Sequence, residues 1–164
     1  MASVDGGTLD YTYRTHLYGR KVLRAYDMNG VGEYYRTDDR VRVQRQLYPD
    51  RADYGRPEYA NCVYVNYWAY LPGQRVEMFE NDRPLDVVQV EDEDPLYTIS
   101  HYLPALAQNP VFKKGDAKVV SHHMFAAKAR TATAPVEIRI TGAEGNLLHR
   151  GTLERPKKFD KEAR

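Results

Sequence analysis

A chain of 164 residues has room for one compact core, and we expect a single domain over residues 4–160 followed by a frayed charged tail at 161–164. Its 24 Lys and Arg residues nearly cancel 23 Asp and Glu residues, and the formal net charge of +1 argues against nucleic acid as the main partner. Every apolar stretch is far shorter than the roughly 18 residues of a membrane helix, so the sequence also argues against membrane insertion.

The first half of the chain carries two alternations that are typical of strands. Leu9 to Tyr13 alternates apolar and polar side chains after a turn-forming Asp-Gly-Gly, which predicts a half-buried strand. Val41 to Leu47 alternates in the same way and predicts another strand. The basic residues in and around it are interpreted as its solvated face: Arg36, Arg40, Arg42 and Arg45.

A longer apolar segment follows. From Cys62 to Tyr70 both alternating sets of side chains are apolar or aromatic, which predicts a central strand covered on both faces. Leu71 to Gln74 has the Pro-Gly chemistry of a turn, and the next strand begins at Val76 to Met78. The run 81–84 is expected to turn the chain back, so that Val87 to Val90 completes a hairpin.

The middle of the chain changes its period. Apolar residues recur there at helical spacing and predict one short helix near residues 95–107, namely Leu96, Ile99, Leu103 and Leu106. Pro95 suits the first turn of this helix, and Pro104 is expected to bend or end it. The acidic run Glu91 to Asp94 is interpreted as a solvated turn, because it lacks the alternating oxygen ligands and the glycine of a calcium loop.

Strand signals return near the end of the chain. Met124 to Ala129 and the alternation from Val136 to Ile140 predict two strands, and the glycine-rich turn at 142–146 leads into a returning strand over 147–153. The total is roughly eight or nine strands punctuated by turns. The sequence therefore predicts a mostly β fold, an antiparallel β-sandwich that is immunoglobulin-like or related.

Sequence motifs of enzyme chemistry are absent. His122 and His123 are adjacent, so on a strand their side chains point to opposite faces and cannot easily share a metal. Cys62 is the only cysteine and lies in an apolar run, where it is interpreted as a small buried side chain. We therefore predict no catalytic residue, no metal site and no cofactor in this chain.

Tyrosine is the unusually abundant residue of this sequence. There are 14 tyrosines, mostly before residue 71 and at strand-like positions, where such rings fill a core or pair across strands. This interpretation predicts that Tyr64, Tyr67 and Trp68 are buried. The alternative is a glycan-binding or adhesion module in which exposed rings form a coplanar row. The candidates for such a surface, in loop-like segments, are Tyr34, Tyr35, Tyr54 and Tyr59.

An ordered series of segments marks the second half of the sequence. They are residues 64–70 (YVNYWAY), 72–81 (PGQRVEMFEN), 94–95 (DP), 123–128 (HMFAAK), 136–146 (VEIRITGAEGN) and 155–159 (RPKKF). In this order they resemble the C-terminal domain of bacterial calcineurin-like phosphoesterases. Residues 4–14 resemble the opening strand of that domain, whereas 17–59 match it only loosely.

The resemblance implies a larger parent protein with its catalytic domain upstream of this chain. In that family the catalytic domain holds two divalent metals on DxH, GDxxD, GNH(E/D) and GHxH motifs, and this sequence contains none of these motifs. The chain is then implied to be a non-catalytic accessory domain. It would pack beside the catalytic domain, where it limits access to the site or fixes the enzyme's orientation at the cell envelope. The resemblance also implies a periplasmic or envelope-associated location.

The same resemblance implies a docking face for the catalytic domain. We expect it within the first 60 residues, where the match is weakest and where tyrosine and arginine suit a fairly polar interface between domains. The isolated domain is expected to pair with itself through this face. Its candidate residues are Tyr18, Tyr26, Tyr34 and Tyr35.

Overall fold

The structure, a computed structural model, describes residues 2–5, 8–11, 22–49, 51–108 and 120–160. Within these residues eight strands form two four-stranded antiparallel sheets, and a two-stranded hairpin precedes them in the chain. The predicted mostly β, sandwich-type fold is confirmed. The strands are β1 (Ala2–Asp5), β2 (Thr8–Tyr11), β3 (Leu23–Asp27), β4 (Cys62–Tyr67), β5 (Arg75–Glu80), β6 (Arg83–Pro84), β7 (Val87–Glu93), β8 (Val120–Lys128), β9 (Val136–Thr141) and β10 (Leu147–Leu153).

The two sheets have the strand orders β10-β9-β5-β6 and β3-β4-β8-β7. An apolar core lies between them, and β9 shows how it is built, because Val136, Ile138 and Ile140 are buried while the residues between them are half-buried. The expected central strand is β4, which pairs with β3 on one side and with β8 on the other. Among the described residues, β3 and β10 each end a sheet.

A layer of helices covers the outer face of the β3-β4-β8-β7 sheet, where Tyr64 and Met124 contribute to a second core. The helices are α1 (Met28–Thr37), α2 (Asp39–Leu47), α3 (Pro95–Tyr97) and α4 (Leu103–Gln108), and a π-helical turn over Thr98–Tyr102 joins the last two. The helix predicted near 95–107 is therefore confirmed. No helix in the described part of the chain is long and apolar enough to cross a membrane.

The strand predicted over Val41 to Leu47 is wrong, because this segment is α2. Asp38 caps the helix by accepting a hydrogen bond from the backbone N–H of Arg40 at 3.0 Å. Val41 and Gln44, three residues apart, are its buried side chains, which is the spacing of a helix face. The basic side chains of this segment therefore lie on or beside a helix.

The turn predicted at 81–84 is confirmed, but Val87 to Val90 does not complete that hairpin. After β5, Asn81 and Asp82 take positive φ angles of 50° and 59° and turn the chain into the two-residue strand β6. The backbone N–H of Leu85 still donates to the carbonyl of Met78 at 2.8 Å, and the chain then crosses to the other sheet, where β7 pairs with β8. The first predicted strand corresponds to β2, and Tyr13 lies outside the described residues.

The C-terminal segment returns from β10 to the start of α1. The backbone N–H of Lys157 donates to a carboxylate oxygen of Asp27 at 3.0 Å, and the ring of Phe159 packs on Tyr34 with centroids 5.3 Å apart. These contacts attach the end of the described chain to the helical layer. The predicted frayed tail, 161–164, lies outside the described residues.

Candidate functional site

The predicted tyrosine surface is largely interior. Tyr26, Tyr35 and Tyr54 are buried in the domain's own core, with 5%, 0% and 1% of their surface exposed, so these three were wrongly expected at the surface. Tyr34 and Tyr59 are half-buried, and Tyr18 lies outside the described residues.

Helical periodicity is the reason why Tyr35 is inside. The buried residues of α1 form one stripe at helical spacing, namely Met28, Val31, Gly32 and Tyr35. The Tyr35 hydroxyl donates to Gln44 and lies 2.9 Å from the carbonyl of Ala52, to which the Gln44 amide also donates at 3.0 Å. Both the oxygen and the nitrogen of the Gln44 amide are hydrogen-bonded, and this makes the burial of a polar side chain possible.

The tyrosine rings in and against this core pack edge to face and form no coplanar row. Centroid distances along the series Tyr35, Tyr54, Tyr59 and Tyr64 are 5.3, 5.2 and 6.0 Å, and the planes are inclined by 66°, 76° and 62°. This is the usual geometry of aromatic packing in a core. As the core interpretation predicts, Tyr64 and Tyr67 are buried. Trp68 is only half-buried, because it lies just after the end of β4.

The acidic run was expected to be a solvated turn, and that expectation is wrong for Asp92 and Glu93, which are buried at the end of β7. One oxygen of Asp92 lies 3.2 Å from the hydroxyl of Tyr64 and 3.4 Å from that of Tyr59. The other accepts from the backbone N–H of Glu93 at 2.8 Å. Tyrosine hydroxyls thus replace the water that this carboxylate would otherwise need.

Glu93 and Asp94 are likewise held by donors from other elements. Glu93 forms an ion pair with Arg51, whose guanidinium lies 4.2 Å from the centre of the Tyr102 ring. Asp94 accepts from the hydroxyl of Tyr26 at 2.8 Å and from the amide of Asn66 at 2.7 Å. It also caps α3 through two backbone N–H groups. These three carboxylates therefore bond to donors that belong to the fold.

The two adjacent histidines lie in different environments. His122 is exposed, and its Nδ1 lies 3.5 Å from the carboxylate of Glu91, whereas His123 is half-buried. Within the described residues, no group of three or more His, Cys, Asp or Glu side chains is arranged to hold a metal.

A cleft opens where β3 and β10, the terminal strands of the two sheets, lie next to each other. Its volume is about 320 Å³, and we call it the β3–β10 cleft. Sequence reasoning missed it; the available signals were the single tryptophan after an aromatic strand and two consecutive lysines near the C-terminus. Prominent lining residues are Arg24, Trp68, His149, Lys157, Lys158 and Phe159.

A buried ion pair lies beside the cleft. Asp27, which lines the cleft, lies 3.3 Å from Nε of Arg155, and both side chains are fully buried. Asp27 also accepts from the backbone N–H groups of Asn29 and Lys157 at 3.2 and 3.0 Å. The carboxylate therefore fixes β3, α1 and the C-terminal segment relative to one another.

The fold and these sites define a β-sandwich domain with a helical layer on one face and acidic side chains bonded within it. The chain belongs to the family described as the C terminal of Calcineurin-like phosphoesterase, whose model matches residues 4–147. The matched range includes residues 17–59, where the sequence alone showed only a loose resemblance. Comparisons with curated proteins and with solved structures found no match.

Proposed function

We propose that this chain is a non-catalytic accessory domain that packs against, and positions, a metallophosphoesterase domain lying upstream in the same polypeptide. The observation that carries this proposal is the match to the C-terminal part of the calcineurin-like phosphoesterases over residues 4–147. Two divalent metals would be held by the neighbour's own Asp, His and Asn motifs, where they activate water for attack on phosphorus. The parent enzyme would act at the cell envelope.

The bonding of the carboxylates supports an accessory role. Asp92, Glu93 and Asp94 are three consecutive acids, the residue type that binds hard metal ions. Each of them already forms hydrogen bonds or an ion pair with other residues of this domain. Metal binding there would require breaking the hydrogen bonds and the ion pair that compensate the burial of these charges. Their role is to join β7 to the helical layer.

An apolar patch at one end of the sandwich is a better docking face than the buried tyrosines. Leu147 and Leu148 begin β10 with 57% and 47% of their surface exposed, and Leu71 in the turn before β5 is 53% exposed. The two turns approach each other, because a Cβ on Gly73 would lie 3.0 Å from that of Ala143. Exposed leucines of this kind suit contact with another domain or a second copy of the chain.

The coding sequence upstream of Val4 gives the simplest test. The proposal expects DxH and GNH(E/D) motifs there, in a domain of the size that a metallophosphoesterase requires. An upstream sequence without such motifs would overturn it.

The docking patch can be tested in the full polypeptide by hydrogen exchange. We expect slower exchange of the amides around Leu147 and Leu148 there than in the isolated chain, and loss of that protection in Leu148→Asp. Val88→Asp is the matched control, because Val88 is similarly exposed, at 51%, on the edge strand β7 of the other sheet. Equal exchange in both forms would show that the domains do not dock through this patch.

A further inference from the structure

We propose that the β3–β10 cleft binds a small organic anion that carries a ring, with a phosphate monoester as the best match. All of the residues concerned belong to this chain, so the proposal does not rest on a catalytic neighbour. The cleft volume of about 320 Å³ lies at the lower end of small-ligand pockets, about 300–1,000 Å³. That space fits one ring with one anionic group.

The charges around the cleft favour a dianion. Arg24, Lys157, Lys158 and Asp160 line it, and Asp27 lines it as well although its carboxylate is fully buried. The buried guanidinium of Arg155 neutralises Asp27, and the other charged residues that line the cleft are three cations and Asp160, a net of two positive charges. A phosphate monoester carries nearly two negative charges at neutral pH and accepts strong hydrogen bonds from such groups.

The two lysines of the cleft are accessible to a ligand. Lys157 and Lys158 are exposed, and the C-terminal segment that carries them is held by Asp27 and by the packing of Phe159 on Tyr34. Their backbone is therefore positioned before a ligand arrives, which lowers the entropic cost of binding.

Aromatic and apolar side chains supply a wall for the ring. Trp68 lines the cleft and is only half-buried, and Leu23 and Phe159 line it as well. A flat apolar face next to cationic groups is the combination that binds a phosphorylated ring, since the ring packs on the aromatic side chain while the charges hold the phosphate.

His149 adds a polar group whose position depends on a glycine. A Cβ on Gly151 would lie 2.9 Å from Nε2 of His149, and both residues line the cleft. The imidazole ring therefore lies over a part of β10 that has no side chain, where it can hydrogen-bond a ligand's hydroxyl or phosphate oxygen. Any larger residue at position 151 would displace the ring.

Trp68 allows direct measurement, because it is the only tryptophan in the chain. We would titrate the protein with phenyl phosphate and follow both its fluorescence and the heat of binding. Phenol and inorganic phosphate are titrated as controls, because each supplies only the ring or only the anion. Glucose 6-phosphate is titrated as a second ester, to distinguish a sugar ring from an aromatic one. We expect saturable binding of at least one ester, about tenfold tighter than either half, because the charge and the ring act together.

Substitutions then locate the site. The double variant Lys157→Gln/Lys158→Gln should weaken binding about tenfold or more by removing two charged donors. Gly151→Ala should weaken it by displacing His149. Lys128→Gln is the matched control, because Lys128 is an exposed lysine of β8 that contacts the carbonyl of Glu58 instead of the cleft.

Three results would overturn the proposal. The first is the absence of saturable heat and fluorescence change with both esters. The second is binding of phenol as tight as that of phenyl phosphate, which would show that the charges do not contribute. The third is an equal loss of affinity in Lys128→Gln and in the double variant, which would place the anion elsewhere on the surface.

Discussion

Arg155 and Asp27 form a fully buried ion pair between residues 128 positions apart in the chain, with 3.3 Å between Nε and Oδ1. The alignment is not that of a hydrogen bond, and Nη1 of Arg155 instead donates to the carbonyl of Thr131 at 3.1 Å. The guanidinium thus joins the loop before β9 to the start of α1. Removing either charge would leave the other buried and uncompensated.

Arg155→Ala should therefore lower the free energy of unfolding by about 3–5 kcal/mol, the usual cost of breaking a buried pair. Chemical denaturation measures this directly. The control is Arg150→Ala, because Arg150 pairs with Glu137 at 2.7 Å while its side chain remains 61% exposed. We expect that variant to lose only a small fraction as much, and similar losses in both would show that burial of the Arg155 pair is unimportant.

Gly30→Ala should destabilise the protein although alanine is the better helix former. A Cβ at position 30 would lie 1.9 Å from the carbonyl oxygen of Lys157, and this backbone oxygen cannot move without shifting the C-terminal segment. We expect a net loss of about 1–3 kcal/mol in chemical denaturation. Glu33→Ala, at an exposed position of α1, should be nearly neutral. A Gly30→Ala variant as stable as the unmodified chain would mean that the C-terminal segment is not held against α1.

Sequence patterns predicted those elements whose signal is local. The side chains of β9 face the core between the sheets and those of the helix near 95–107 face the core under the helical layer, so in each element the period is visible in the sequence. Helix α2 was missed because one of its two buried residues is Gln44, a polar side chain. Its burial depends on Tyr35 and Ala52, which a hydrophobic pattern cannot show.

The candidate sites were harder to predict because they depend on contacts that are distant in sequence. Asp92 is buried by hydroxyls from Tyr59 and Tyr64, about 30 residues away, so its acidic neighbours gave the wrong interpretation of a solvated turn. Arg24 and His149 both line the β3–β10 cleft, and these segments come together only because the two sheets pack face to face.

Stability should fall in acid partly through Glu80. Burial alone would raise its pKa, but hydrogen bonds from the Thr131 side chain and from the backbone N–H groups of Thr131 and Arg130 outweigh burial, and the pKa lies below its usual range. A lowered folded pKa means that the stabilisation is present above about pH 4.3 and is lost as the pH falls below it.

Glu80→Gln is the variant that isolates this effect. It should be less stable than the unmodified chain at neutral pH and should lose less stability on acidification, as followed by denaturation at a series of pH values. An unchanged pH dependence would show that Glu80 does not titrate differently in the folded and unfolded states.

Ionisation of the core tyrosines should set the pH above which the fold loses stability. Burial raises the pKa of each of six phenols, Tyr26, Tyr35, Tyr54, Tyr59, Tyr64 and Tyr67. A raised folded pKa gives stability that is present below the ordinary value of about 10 and is lost as the pH rises above it. Phenolate absorbance from these residues should therefore appear together with the loss of circular dichroism. Gradual ionisation of every tyrosine with the fold intact would contradict the packing described here.

The accessory role is tested most directly by an assay of the purified chain for metal-dependent hydrolysis of p-nitrophenyl phosphate and bis-p-nitrophenyl phosphate. With Mn²⁺, Zn²⁺ or Mg²⁺ present, we expect release of p-nitrophenol no faster than with the metal alone, because the consecutive acids Asp92, Glu93 and Asp94 are held by donors within the fold. Turnover that remains with the folded protein through purification, and that is lost in His122→Ala or His123→Ala, would show that this domain is itself a phosphoesterase.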